Sequence, residues 1–405
     1  MKFILSFVLL FLVVSISEAK KSHKKLRGKA KYQVFWDKVN LELSDSITHT
    51  FDTLLISDEY LCNIADDTVE ILFFDTIVQK IQDTIVIAGV GDIMPGTNFP
   101  GRKYLPPNDD CYPLFSDVLS ELAWQDIVTG NLEGVLAGNI ETVKKCQDTN
   151  LCYAFRIPDH YLGCVLDAGF DFLSVANNHV GDFGEEGRQR MSAVLEGSNV
   201  NFSGFRSHPY TILKKDGIKY GFIGMSTSGG TNDFSNYSYA KPLIMKVDSM
   251  VDILIISIHG GCEGAGYQHV TKEIEVFYGQ NRGNIYEFAH LAIDWGADII
   301  FGHGPHVTRA VEVYKNRFVA YSLGNFCTYA RFNLQGPNGI APLINVYTDR
   351  KGRFYQAKVV STRQIGEGGT RIDPYERAYK KILELTNADF PGHQLLFENG
   401  FIREK

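Results

Sequence analysis

His303 and His306 flank Gly304-Pro305 in the stretch Gly302-His303-Gly304-Pro305-His306, directly after the apolar run Ile299-Ile300-Phe301. Neutral imidazole is the commonest protein metal ligand. A Gly-Pro turn holds its backbone in a tight shape that can aim two imidazoles at one point. Ligand-type residues follow other apolar runs as well. Ile85 to Val90 leads into Gly91-Asp92, and Asp126 to Val128 leads into Thr129-Gly130-Asn131-Leu132-Glu133. Phe172 to Val175 leads into Ala176-Asn177-Asn178-His179, with Asp182 close behind. Val251 to Ile258 leads into His259-Gly260-Gly261-Cys262-Glu263, and Phe318 to Ser322 leads into Leu323-Gly324-Asn325. Taken singly, an Asp or Asn after a strand reads as a cap or turn residue. Carboxylate, amide oxygen and imidazole recurring at one strand end after another suit a divalent Mn, Fe or Zn site. The neighbouring glycines let backbone pass close to an ion or substrate.

The elements that must position these groups are legible too. Continuous apolar runs such as Ile85 to Val90 and Val251 to Ile258 read as strands buried on both faces. Segments of helical period lie between several of them: Tyr112 to Trp124, Asp159 to Ala168, Gly187 to Glu196 and Gly283 to Trp295. Residues 356 to 363 read as a strand and 374 to 386 as a helix. Strand-helix alternation predicts an α/β fold with a largely buried sheet. In such sheets, sites form beyond the carboxyl ends of the strands, which is where the polar residues stand. Other chemistries fit less well. Gly89-Val90-Gly91 with Gly96 is neither a dinucleotide fingerprint nor a P-loop. Ser226, in Gly224-Met225-Ser226-Thr227-Ser228, is not a nucleophile elbow.

The ordered set resembles the capsule synthesis protein CapA family, within the metallophosphatase-like superfamily. GDIMPG from Gly91, GNLEG from Gly130, ANNHVGDFG from Ala176, HGGCEG from His259, GHGPHV from Gly302 and YSLGNF from Tyr321 carry the resemblance. It implies a two-sheet α/β/β/α sandwich over 84–330, which residues 331–405 complete with further strand and helix. It also implies a role in making, exporting or trimming an extracellular polymer such as poly-γ-glutamate. The matching positions imply that Asp92, Glu133, Asn178, His259, His303 and His306 hold one or two divalent ions. They imply that His179 is the catalytic imidazole facing the scissile group. The chain departs from the pattern in several places: neither Asn131 nor Glu133 is the bridging Asp of phosphoesterases, and the last motif is His-x-x-His where they have His-x-His. Met94 stands where phosphoesterases have a His, Gly260 where CapA relatives usually have a Trp, and Gly304 where they have an extra His. These departures speak against a two-metal phosphoesterase centre and leave a single metal as the fitting alternative.

The expected chemistry is hydrolysis, because a bound divalent ion lowers the pKa of its water to about 7. His179 would donate to developing charge or protonate the leaving group. Glu263 would orient His259 or act as base. Arg156, which suits a carboxylate or phosphate, and Asn177 would bind substrate. The rival expectation is a non-catalytic binding or assembly component for an anionic cell-surface polymer. That component would work beside membrane-bound synthesis machinery.

The termini and composition bound the setting. Met1-Lys2, the apolar run Phe3 to Ile16 and Ser17-Glu18-Ala19 form a signal-peptide pattern. An exported, periplasmic or envelope-associated protein is expected. Residues 1–19 are short for a span of about 20 apolar residues. The Lys- and Arg-rich stretch from Lys20 to Lys31 resists translocation, which keeps an uncleaved anchor as the alternative. Residues 20–83 read as a basic arm and a small β-rich extension. A net charge of -7 argues against nucleic acid as a partner. Seven cysteines without a CxxC argue against a zinc ribbon, and Cys146 with Cys152 is the expected disulfide.

Overall fold

The computed structural model describes residues 84–145, 153–198 and 200–405. The signal-peptide pattern, the basic arm, the N-terminal extension and the Cys146/Cys152 pair lie outside the described residues. Strand β1, Ile85–Met94, shows how the layers arise. Its side chains alternate between two cores, as a strand's must. Ile85 and Ile87 enter one apolar cluster, while Ala88, Val90, Ile93 and Met94 enter another. An apolar run without polar gaps has no solvated face, so layers cover it on both sides.

The remaining strands of the first sheet begin with β2 (Ile127–Leu132), β3 (Phe172–Ser174) and β4 (Asn201–Ser203). The second sheet begins with β5 (Thr211–Lys215), β6 (Ile218–Ser226) and β7 (Ile253–His259). A short hairpin, β8 (Val276–Phe277) and β9 (Gln280–Asn281), projects beyond it. β10 (Ile299–His303), β11 (Val311–Tyr314) and β12 (Arg317–Ala320) complete the second sheet. β13 (Asn325–Thr328), β14 (Ile340–Thr348), β15 (Phe354–Gln364), β16 (Thr370–Ile372), β17 (Leu395–Glu398) and β18 (Phe401–Glu404) return to the first. The first sheet runs β17-β18-β15-β14-β1-β2-β3-β4, with β13 also on β1 and β16 on β15. The second runs β11-β12-β10-β7-β6-β5. β1 to β4 pair in parallel, as do β6, β7, β10 and β12, so each sheet presents a row of carboxyl ends.

The sheets pack face to face through Ile87, Ile127, Phe172, Phe222, Ile255, Ile299 and Phe301. Phe172 and Phe222 stack across this interface at 4.3 Å between ring centres. Helices α1 (Leu119–Leu122), α2 (Tyr161–Asp167) and α3 (Gly184–Gly197) cover the outer face of the first sheet. α4 (Tyr237–Asp248) and α5 (Ile285–Asp294) cover the second. α6 (Arg377–Asp389) puts Tyr379 and Ile382 into the core between the sheets. The result is an α/β/β/α sandwich, the architecture expected from the motifs.

One local expectation changes. The helix expected from Tyr112 to Trp124 is a 3-10 turn, Tyr112–Leu114, followed by the single turn of α1. Leu114, Val118 and Leu122 keep the helical spacing of buried positions. The start of the segment is tied by a disulfide from Cys111 to Cys164 on α2, and Pro113 brings no N–H to a helix. That disulfide closes 53 residues of sequence. Cys262 and Cys327 are buried free thiols.

Candidate metal centre

Asp92 lies opposite Asn131 of β2 and Asn325 of β13, at irregularities in both ladders. The crowding there fixes the residue before it. A Cβ on Gly91 would stand 1.9 Å from the Gly324 carbonyl oxygen, so only glycine lets the two segments approach. His259 lies opposite His303 across β7 and β10 in the other sheet. Two parallel rows of strand ends therefore bring carboxylates from one sheet to imidazoles from the other.

The groups meet within hydrogen-bonding or near-coordinating range. Asp92 Oδ2 is 2.9 Å from His306 Nδ1, and Asp92 Oδ1 is 3.4 Å from His303 Nδ1. Glu133 Oε1 is 3.5 Å from His259 Nε2, 3.6 Å from His306 Nε2 and 3.7 Å from His179 Nε2. Asp92, Glu133 and His306 each place a ligand atom within 4.8 Å of the other two. His306 adopts a left-handed backbone, with φ of 57°, that a non-glycine residue rarely takes. Its carbonyl accepts from the side-chain amides of Asn325 and Asn338, which holds the turn in place.

Both Glu133 oxygens, His259 Nε2, His303 Nδ1 and Asn178 Oδ1 are buried without a hydrogen-bond partner. Buried polar atoms are ordinarily paired. Several orphans of ligand type beside one cluster fit a divalent cation. The charge states agree. Burial drives Glu133 well above the usual carboxylate range, and the Asp92 charge adds to this against the pull of His306. Burial opposes ionisation of Asp92 too, but the His306 hydrogen bond and the charges of His303 and His306 hold it well below that range. Burial works against a charged His306, yet Glu133 and Asp92 push it up to about 10. The cluster thus balances its charge with protons, which a cation would displace.

His179 is buried and lies in a fixed frame. Its Nδ1 is 2.8 Å from Asp182 Oδ2, its ring stacks on Phe155 at 4.2 Å, and Phe155 stacks on Phe332. Burial lowers the His179 pKa against the pull of Asp182, which favours the neutral ring. Asp182 accepts from Nδ1–H, so Nε2 faces the cluster as an acceptor. Asp182 in turn accepts from the Phe155 N–H and pairs with Lys144 at 2.6 Å. Asp182 sits three residues after His179, and that spacing was the available signal for the partnership.

Other sequence-predicted residues fall elsewhere. Asn177 donates to Asn131 and to the Leu132 carbonyl and accepts from the His179 N–H, so its amide braces the site instead of facing substrate. Arg156 lies between the Phe99 and Phe183 rings and donates to the Ile140 carbonyl, away from the cluster's contacts. Glu263 pairs with Arg282 at 2.9 Å and accepts from Asn178, where an orienting bond to His259 was expected. The Arg282 charge draws it away. Arg282 carried no sequence signal, since it follows a hairpin and no apolar run. Met94 is fully buried in the helix-side core and offers the cluster nothing. Gly260 and Gly304 have one shared explanation. A Cβ on Gly304 would meet the Gly260 oxygen at 2.5 Å, and one on Gly260 would meet the Arg282 oxygen at 2.6 Å. A side chain fits at neither position.

The chain resembles known proteins over the same region. The model of the bacterial capsule synthesis protein PGA_cap family matches residues 86–330. The capsule biosynthesis protein CapA of Bacillus anthracis is 25% identical over 60% of this chain and 60% of its own length. The PGA biosynthesis protein CapA of Bacillus subtilis (strain 168) is 28% identical over 62% and 65%. The chain thus spans about three-fifths of the length of these curated relatives. Among solved structures, a putative 5'-nucleotidase from Staphylococcus aureus aligns at a TM-score of 0.41, with 14% identity over 75% of this chain and 58% of that one. That score is too low to transfer any property. With the family model spanning more than half of its residues, the chain belongs to the bacterial capsule synthesis protein PGA_cap family.

Proposed function

We propose that this chain is a metal-dependent hydrolase that acts on an anionic extracellular polymer of the capsule or poly-γ-glutamate type. The observation that carries the reading is the convergence of Asp92, Glu133 and His306, surrounded by buried ligand atoms without partners. Asp92, Glu133, His259, His303 and His306, with the Asn178 amide oxygen, would hold the ion. A bound divalent ion supplies Lewis acidity and makes a water nucleophilic near neutral pH. His179 Nε2 takes the proton of the incoming water and returns it to the leaving group, while Asp182 holds the ring through Nδ1. Phe155 and Phe332 keep water from that ring.

An envelope setting is part of the proposal. The Cys111–Cys164 disulfide suits an oxidising compartment. No helix among the described residues is long and apolar enough to cross a membrane. Membrane-bound polymer synthesis machinery would be the partner. A purely binding or assembly role is the second reading, favoured by Met94, an apolar residue at the position where phosphoesterases have a His.

Metal analysis of the purified chain and a poly-γ-glutamate chain-length assay test the proposal. One or two Mn, Fe or Zn ions per chain and metal-dependent shortening of the polymer are expected. Bound metal without turnover of either γ-glutamyl or phosphoester substrates would transfer support to the binding role. Full metal content in both Asp92→Ala and His306→Ala would overturn the site.

A further inference from the structure

Between the end of β7 at His259 and the start of α5 at Ile285, the chain makes an excursion that returns to the cluster at Arg282. The backbone there is locked. Gly261 N–H donates to the Arg282 carbonyl, Arg282 N–H donates to Glu275, and Glu275 N–H donates to Gly283. Gly260, which admits no Cβ, lets this strand lie against the residue that follows His259. The side chain of Arg282 is 9% exposed. One terminal nitrogen lies 2.9 Å from Glu263 Oε1, while Nε is buried with no partner. Its charge reaches Glu133 and His259. The same Glu263 oxygen accepts from Asn178, the neighbour of His179.

A guanidinium carries five N–H donors in a planar fork that matches carboxylate and phosphate. A buried N–H left unpaired destabilises the fold unless something else occupies it. Here one partner is Glu263, which is 22% exposed. We propose that Arg282 is the oxyanion-binding residue of this site, taking a substrate carboxylate or phosphate on the donors that Glu263 leaves unused. The proposal rests on reading the cluster as a metal centre for an anionic polymer. Glu263 then acts as an internal anion that competes with substrate for the same guanidinium.

The competition gives opposite signs for two variants, which a structural ion pair does not. The full chain is titrated calorimetrically with inorganic phosphate, and separately with a short γ-glutamyl oligomer, with and without Mn²⁺. Whichever anion binds wild type more tightly names the source. Arg282→Gln should weaken that anion about ten- to a hundredfold, the range of a charged hydrogen bond, with the melting temperature and Mn²⁺ stoichiometry unchanged. Arg282→Lys should recover part of the loss. Glu263→Gln should tighten binding. Wild-type affinity in Arg282→Gln overturns the proposal, as does weaker binding in Glu263→Gln or binding of neither anion by wild type. Failure of Mn²⁺ to bind would instead count against the metal-centre reading. The ion-free titration still reports on Arg282.

Discussion

Two arginine–glutamate pairs hold the same excursion of chain, and they are built to opposite ends. Arg309 and Glu275 are both buried and meet through two contacts, at 2.7 and 2.8 Å. Arg309 Nε donates to the Tyr267 carbonyl, and Glu275 also accepts from the Cys262 N–H. The polar contacts are satisfied and all are internal. Arg282 and Glu263 meet through one contact, at the rim of the cluster, with a buried donor left over. The first pair ties the loop that carries Glu263 and Arg282 to the strand end. The second presents charge. Burial and charge alone do not separate the two pairs; a donor left over beside the cluster does.

Removing one partner of the satisfied pair should have the largest effect. Glu275→Gln leaves Arg309 buried without its counter-charge, a change that costs roughly 3–5 kcal/mol. Urea unfolding followed by circular dichroism measures it. A loss below about 1 kcal/mol would mean the pair is not a staple. A smaller effect is expected at the frame of His179. Asp182→Asn should lower metal-dependent activity about 10- to 100-fold, the range for partners that orient a functional imidazole. Unchanged turnover would detach Asp182 from the chemistry.

The proton balance of the cluster yields a prediction with a definite sign. Glu133 and Asp92 push the His306 pKa up to about 10, so below that pH an incoming cation must displace its proton. Mn²⁺ affinity should therefore rise with pH from neutrality up to about 10, with proton release on binding. Calorimetry in buffers of different ionisation enthalpy reads that release. A flat profile would remove His306 from the ligand set. The smallest effect should come from the half-spent pair. Arg282→Gln should cost less than about 1 kcal/mol of stability, because Glu263 is left at a partly wet rim. The same unfolding experiment that tests Glu275 tests this contrast. Equal losses for the two variants would erase it.

Much of the centre could be seen in the residue order. Asp92, Glu133, Asn178, His179, His259, His303 and His306 stand beyond apolar runs, at or near the carboxyl ends of their strands. The partners that tune them were less visible. Asp182 lies three residues from His179, yet that spacing alone says nothing about direction. Arg282 and Glu263 are separated by a hairpin whose strands are two residues each, too short for any periodic signal. Arg156 and Asn177 carried suitable chemistry, but the Arg156 guanidinium lies over the Phe99 and Phe183 rings and donates to the Ile140 carbonyl, and the Asn177 amide donates to Asn131 and Leu132. The helix α4 was hidden because Pro242 interrupts its pattern. The disulfide partner of Cys111 lies 53 residues away, beyond what spacing can specify.

Local order determined the continuous apolar runs of the strands, the ligand-type residues at the strand ends, and the glycines beside them. These depend on neighbours a few residues apart, where periodicity and turn chemistry act directly. Packing of the two sheets decided which groups meet. Asp92 and His306 are 214 residues apart and touch, because parallel strands from separate sheets end at one edge. Whether a polar group is spent or left over depends on everything folded around it. The Arg309–Glu275 and Arg282–Glu263 pairs use the same residue types to different ends, so that difference is a property of the tertiary structure.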